Sequence, residues 1–275
     1  MNILIPTDFS TPSAVAALYA MQLAKSLKGS VTLVWFNSIQ TSKKSLAKWK
    51  LLEKEMKALA EEDAAHLMAD LKAEVRQGPP LTYAPITGTN FAKALDAYAK
   101  KENFDLIVMG TKGATGMKKV LVGSNAAAVI DNSSIPVLVV PETCEYKPFK
   151  RIVYASDLKK LEAEAKTMAK LASTFKAELH VLHVANALAN TKQAKSLLPE
   201  LVKACGYSKI IFKELVDENI ASAIDRYLHE VDADLLSMFT HKLDFYEKLF
   251  GKSVTREMAF HSAVPLLAFN KTNEE

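Results

Sequence analysis

The hydrophobic residues come in short runs separated by longer segments of helical spacing. The first run, "NILIP" (Asn2–Pro6), is apolar and bounded by proline, which predicts a buried strand. "TDFSTPS" follows, where Ser10 or Thr11 suits a helix cap and Pro12 its first turn. The helix then runs through "AVAALYAMQLAKSLK" to Gly29. "SVTLVWF" (Ser30–Phe36) is β-branched and aromatic, hence a second strand. From Thr41 to Arg76 the positions Leu46, Trp49, Leu52, Met56, Leu59 and Ala60 recur at helical spacing, predicting one amphipathic helix or two. The Trp49–Leu59 stripe reads as core or interface rather than as a cofactor box. "LTYAPITG" (Leu81–Gly88) is a strand whose Pro85 points to an edge or bulge. Asn90 caps "FAKALDAYAKK", "FDLIVMG" is a fourth strand, "SNAAAVIDNS" a helix, and "IPVLVVP" (Ile135–Pro141) a fifth strand.

Strands alternating with helices imply parallel pairing in an open sheet covered on both faces. The pattern then repeats. "RIVYASD" (Arg151–Asp157) echoes "NILIPTD", "AELHVLHV" (Ala177–Val184) echoes "GSVTLVWF", "ADLLSMF" (Ala233–Phe239) echoes "FDLIVMG", and "AVPLLAF" (Ala263–Phe269) echoes "SIPVLVV". The expectation is an α/β protein of two tandem, open, five-stranded parallel-sheet domains, 1–142 and 150–272, joined by the polar stretch Thr143–Lys150.

Charge narrows the function classes. The chain has 275 residues and a net charge of +4. Arg76, Arg151, Arg226 and Arg256 are its only arginines, too few and too scattered for a nucleic-acid footprint. Cys144 and Cys205 share no metal-ligand spacing. Met1 leads directly into a strand with no signal-peptide pattern, and no apolar run nears the roughly 20 residues of a membrane span. A cytoplasmic protein without membrane or nucleic-acid partners is the expectation.

Glycine distribution is the strongest chemical signal. Of nine glycines, Gly110, Gly113, Gly116 and Gly123 fall within "MGTKGATGMKKVLVGSNA" (Met109–Ala126). Gly110 sits where the fourth strand ends, the side of an open parallel sheet where ligands bind. Residues without Cβ permit positive φ and close approach of main chain to a ligand, and successive N–H groups form anion nests. Gly123-Ser124 opens a helix whose N-terminus attracts phosphate. Two phosphate-seeking devices joined by an arm suggest a polyphosphate clamp; a plain strand-to-helix turn is the competing reading. No Walker A loop and no GxGxxG is present: "FGKS" at Phe250–Ser253 lacks the required glycine at 246, which is Tyr.

Gly110-x2-Gly113-x9-Gly123-Ser124 resembles the ATP-binding signature of the universal stress protein family, and "ILIPTDFS", "FDLIVMGTKGATG" and "SSIPVLVVP" resemble that family's first, fourth and closing strands. The whole chain resembles a tandem member, with Rossmann-like domains of the adenine nucleotide alpha hydrolase-like type. The resemblance implies a nucleotide-dependent stress-response module that binds ATP, with or without Mg, through its first domain. Pro6, Thr7 and Asp8 would meet ribose or a phosphate-bound cation, although Asp8 alternatively caps the next helix. Phe36 would meet adenine, or serve only as core. Met109 and Gly110 would wall base and ribose, and Gly113, Gly123, Ser124 and Asn125 would hold phosphates. Lys112, Lys118 and Lys119 read as solvated surface. Single-domain relatives pair through their last strands, so the resemblance also implies an internal pairing of Ile135–Val140 with Val264–Phe269. A homodimer and an unidentified protein partner complete that expectation.

The second half departs from the signature. Aligned from Asp105 onto Asp234, Gly110 meets Phe239, Gly113 meets Lys242, Gly123 meets Lys252, and only Ser124 keeps its type as Ser253. Phe239 is expected to fill the ligand space, leaving a degenerate domain without nucleotide, and the stretch after it looks helical. His180 and His183 alternate across a predicted strand, poor geometry for a metal. No catalytic set can be assembled, so hydrolysis is expected to be slow or absent. A structural or interaction protein without nucleotide, and a slow ATPase, remain the alternatives.

Overall fold

The structure is a computed structural model that describes residues 1–38, 46–111, 124–185, 194–240 and 264–270. These divide into two compact units that meet in sequence at Tyr146 and Lys147. In unit 1 the elements are β1 (Asn2–Pro6), α1 (Thr11–Ser26), β2 (Ser30–Ser38), α2 (Leu46–Glu74), β3 (Leu81–Gly88), α3 (Phe91–Lys101), β4 (Leu106–Gly110), α4 (Ser124–Asn132) and β5 (Val137–Val140). Unit 2 comprises β6 (Arg151–Ala155), α5 (Leu161–Phe175), β7 (Glu178–Ala185), α6 (Ala194–Cys205), β8 (Ile210–Val216), α7 (Ile220–Glu230), β9 (Leu235–Thr240) and β10 (Leu266–Asn270).

Within unit 1 the strand order is β3-β2-β1-β4-β5 and every pairing is parallel. Within unit 2 it is β10-β9-β6-β7-β8, again all parallel. Both units are thus the doubly wound α/β arrangement expected from alternating strands and helices. Strands covered on both faces must be apolar throughout, and Ile3, Leu4 and Ile5 are completely buried, as are Ile152, Val153 and Tyr154. Each such aliphatic side chain contributes about 1.5–3 kcal/mol by leaving water. Pro85 does lie on the outermost strand of its sheet, where its missing N–H withdraws no bond from a central ladder.

The duplication reaches the level of single backbone atoms. Ile3 pairs with Leu106 and Ile152 with Leu235, so Gly110 and Phe239 hold equivalent positions, four residues further along. Asp105 accepts from the Asn2 N–H at 2.6 Å, and Asp234 accepts from the Arg151 N–H at 2.8 Å. Asn90 caps α3 by accepting from the Lys93 N–H, and Asn219 caps α7 from Ser222, both at 3.0 Å. The described residues with positive φ also form pairs: Phe9 with Leu158, Lys28 with Lys176, Gln77 with Gly206, and Asn103 with Asp232.

The Thr143–Lys150 stretch is more firmly held than a polar linker. Tyr146 packs edge-on against Tyr19 at 5.2 Å and donates to the Ser26 hydroxyl. Phe149 is buried against Phe175 at 4.7 Å.

Candidate functional site

At the carboxyl ends of β1, β2 and β4 lies a cavity of about 530 Å³. In the order β3-β2-β1-β4-β5, chain progression reverses between β1 and β4, the switch point where open α/β sheets take ligands. Of the residues expected there, the structure brings together Pro6, Thr7, Asp8, Phe36, Met109, Gly110 and Asn125. Ser124 opens α4, and Gly113 and Gly123 lie outside the described residues, as do Lys112, Lys118 and Lys119. Ser10, Pro12, Ser13, Trp35, Phe91 and Ala126 also line the cavity and escaped sequence reasoning. Ser10 and Pro12 carried a signal, since they occupy the loop that follows β1, but they read as helix-start residues. Phe91 directly follows the Asn90 cap, so its position at the carboxyl side of the sheet was in principle legible.

Asp8 and its neighbours form a tight polar turn. The Asp8 Oδ1 accepts from the Ser10 N–H at 3.1 Å and the Ser10 hydroxyl at 2.5 Å. Burial by itself would raise the Asp8 carboxyl, but the bonds from Ser10, with Ser13 assisting, outweigh it and hold the group below the usual carboxylate range. Asp8 therefore serves the turn and carries its charge at neutral pH. Phe9 adopts φ 61°, fixed by its N–H bond to Thr7 Oγ1 at 2.9 Å. Thr7 Oγ1 in turn meets Ser13 Oγ at 3.0 Å.

The aromatic side is built by packing. Phe36 and Phe91 meet edge to face at 5.4 Å. A Cβ on Gly88 would lie 2.9 Å from Ala94 Cβ and 3.4 Å from the Phe36 ring, so the bare backbone at 88 lets α3 and this ring pair settle.

Gly110 has a different reason from the one its sequence context suggested. A Cβ there would stand 2.2 Å from the Pro12 carbonyl oxygen and 2.6 Å from its carbon. Its φ is not positive, and what presses against it is the chain's own α1 entry, which is itself a cavity wall.

Three helices, α1, α3 and α4, present their first turns to this cavity through Pro12 and Ser13, Phe91, and Asn125 and Ala126. None carries an acidic residue in its first turn. The positive dipole ends of α3 and α4 each favour an anion by about 0.3–1 kcal/mol, while the ionised Asp8 at the entry of α1 offsets that third helix.

Unit 2 differs at each of these points. α5, the counterpart of α1, starts with Glu162 and Glu164. Glu164 is buried and accepts from the Tyr154 hydroxyl, which also bonds Ser156 Oγ at 2.9 Å; burial pushes the Tyr154 phenol up. Asp157 repeats the Asp8 turn by accepting from the Lys159 N–H at 3.0 Å, but the Lys159 ammonium stands 3.5 Å from its other oxygen. Phe239 stacks on Phe269 with centroids 4.4 Å apart and an angle of 8°, and meets Tyr154 edge-on at 5.5 Å. The ring expected to plug a ligand space is committed to this aromatic cluster. The stretch after β9, with Lys242, Lys252 and Ser253, lies outside the described residues.

The sequence profile of the universal stress protein family matches residues 1–141 and again residues 148–270. The chain belongs to the universal stress protein family. Universal stress protein MJ0531 of Methanocaldococcus jannaschii is 34% identical over 141 residues, half of this chain and 81% of that protein. Universal stress protein MJ0577 of the same organism is 30% identical over 153 residues and 93% of its own length. A universal stress protein structure from Archaeoglobus fulgidus covers 98% of both chains with a TM-score of 0.71 at 21% identity, a likeness of fold. Among the described residues of this universal stress protein, no His, Cys, Asp and Glu cluster could hold a metal, and no helix is long and apolar enough to cross a membrane.

Proposed function

We propose that unit 1 binds an adenine nucleotide, ATP, and that occupancy of this site adjusts the protein's contacts with partners during stress. The observation that carries the reading is the convergence of three helix N-termini, none with an acid in its first turn, on one cavity at the switch point of the sheet, with a single ionised carboxylate, Asp8, beside the first. The cavity is divided in a way that suits such a ligand. Trp35, Phe36 and Phe91 offer apolar rings to a base, and Asp8 offers an ionised carboxylate to ribose hydroxyls or to a phosphate-bound Mg. Asn125 and the start of α4 offer amide donors to phosphates. The Gly110-x2-Gly113-x9-Gly123-Ser124 spacing supports the same assignment.

Unit 2 takes no nucleotide in this mode. α5 places the acidic residues Glu162 and Glu164 in the first turn where α1 has none, and Phe239 stands where unit 1 has glycine. The reading is of binding rather than turnover, in keeping with an Asp8 carboxylate that is engaged by the Ser10 N–H and hydroxyl.

Calorimetry of the full chain with Mg-ATP tests the reading. One site per chain is expected, and Gly113→Val abolishes the heat while far-UV dichroism stays unchanged. Two equivalent sites, or unaltered affinity in the variant, would refute it.

A further inference from the structure

Asp8 and Asp157 stand at the same point of the two repeats, and the turns they make agree bond by bond. The Thr7 N–H reaches the Val34 carbonyl at 2.8 Å, and the Ser156 N–H reaches the Leu182 carbonyl at 2.8 Å. The Phe9 N–H donates to Thr7 Oγ1 at 2.9 Å, the Leu158 N–H to Ser156 Oγ at 3.1 Å. Phe9 and Leu158 both turn left-handed, at φ 61° and 67°. The Ser10 N–H donates to Asp8 Oδ1 at 3.1 Å, the Lys159 N–H to Asp157 Oδ1 at 3.0 Å. The main chain thus gives both carboxylates the same setting. What separates them is the side chain two residues on, serine at 10 and lysine at 159.

Ser10 is the N-cap residue of α1, where a serine hydroxyl ordinarily accepts from a first-turn N–H and stabilises the helix by about 1 kcal/mol. Here it makes no such bond. It donates instead to Asp8 Oδ1 at 2.5 Å, beside the bond from its own N–H. Both bonds end on one oxygen. Asp8 and Ser10 both line the cavity, so Oδ2, which takes neither bond, is the oxygen left for a ligand. Lys159 does the reverse in unit 2. Its ammonium stands 3.5 Å from Asp157 Oδ2, the counterpart of the atom that Ser10 leaves open. A pair this exposed on the lysine side adds little stability, but it occupies the acceptor that a ligand hydroxyl would need.

We propose that Ser10 is a positioning residue of the unit 1 cavity: it holds Asp8 so that Oδ2 accepts from the ribose hydroxyls of a bound nucleotide, and lysine at the equivalent place shuts that acceptor in unit 2. The proposal rests on the nucleotide reading above and adds ribose recognition to it. Hydrogen bonds from neutral hydroxyls to a charged oxygen are among the stronger ones. Discrimination between ATP and an analogue without those hydroxyls therefore depends on the residue at position 10.

Calorimetry of the full chain with Mg-ATP and with its dideoxy analogue, which lacks both ribose hydroxyls, is the test. It is run on the native protein and on Ser10→Thr, Ser10→Ala and Ser10→Lys. Lysine is compatible with this turn, as Lys159 demonstrates, and melting curves verify folding. The native chain should favour ATP over the analogue about tenfold or more. Ser10→Thr should keep that preference, Ser10→Ala should reduce it severalfold, and Ser10→Lys should nearly abolish it, whatever the added ammonium contributes to phosphate binding. The ratio separates positioning from a merely structural role, since a collapsed turn would weaken both nucleotides alike. Equal losses for both nucleotides in Ser10→Ala, a preference that survives Ser10→Lys, or a native chain that binds the two equally would each overturn the inference and leave nucleotide binding standing. A native chain that binds neither would overturn the nucleotide reading and this inference with it.

Discussion

Gly110→Ala adds one carbon at the point where β4 meets the start of α1. The new Cβ would lie 2.2 Å from the Pro12 carbonyl oxygen, 2.6 Å from its carbon and 3.2 Å from the Ser13 nitrogen. Ordinary contact between such atoms begins near 3.4 Å, so a gap of roughly 1.2 Å must open. No side-chain rotation relieves it, because all three atoms are main chain. Either β4 withdraws from its pairing with Val140, or the start of α1 moves and takes Pro12 and Ser13 with it. Overpacking that displaces backbone costs about 1–3 kcal/mol, and this site belongs at the upper end. For a unit of this size, about 3 kcal/mol lowers the melting temperature by roughly 10 °C. The assay can be confined to unit 1, since Trp35 and Trp49 are the chain's two tryptophans and both lie there. Urea or thermal unfolding of nucleotide-free protein, followed by tryptophan fluorescence, reads the loss directly. A change below about 0.5 kcal/mol would show that the α1 entry moves freely and that this glycine is not demanded by the chain's own packing.

Other outcomes follow from the same coordinates. Asp8→Asn should weaken ATP binding about tenfold or more by calorimetry, as expected for a hydrogen bond to a charged group, with little change in the unfolding of unit 1. Asp96 accepts from the Ser134 N–H and hydroxyl, both at 2.7 Å, and from Lys100 at 2.9 Å; burial opposes its charge, but these bonds hold it below the usual range. Asp96→Ala should cost unit 1 about 1.5–3 kcal/mol in urea titrations at pH 7. In the native protein that contribution is present above the unfolded carboxyl value and fades as pH falls through the lower folded one. His180 is buried, with Nδ1 on the Tyr227 hydroxyl at 2.9 Å; burial lowers its pKa, Glu178 opposes the shift and Arg151 reinforces it. The unfolded chain thus binds the proton first, so unit 2 should lose stability as pH falls from about 6.5 toward the depressed folded value. His180→Gln should flatten that slope in dichroism-monitored unfolding at pH 7 and pH 5.5.

Local pattern carried the fold far. Strand-length apolar runs, the Asn90 cap and the edge position of Pro85 were readable because each depends on neighbours in sequence. The register between halves was readable too, because Asp105 and Asp234 each tie the start of a strand to its partner. Half of the cavity was not. Trp35 lies on β2 and Phe91 opens α3, and only the packing permitted by Gly88 brings the Phe36 and Phe91 rings together. The α2 stripe divided in a way periodicity could not foretell, since Ala60 touches the body and Leu59 beside it does not. Gly110 was noticed, but a clash with Pro12 is a fact of three dimensions.

Main-chain shape has outlasted chemistry in this duplicated chain. Lys28 and Lys176 turn left-handed at φ 53° and 56° after α1 and α5, and Gln77 does so at φ 51° where Gly206 has φ 60°. Each non-glycine residue held there is strained by about 1–2 kcal/mol, partly offset by a less flexible unfolded state than glycine would give. Introducing glycine at 28, 77 or 176 is a ready route to a hardier protein, since the sister repeat has already tried that solution once without altering the path of the chain.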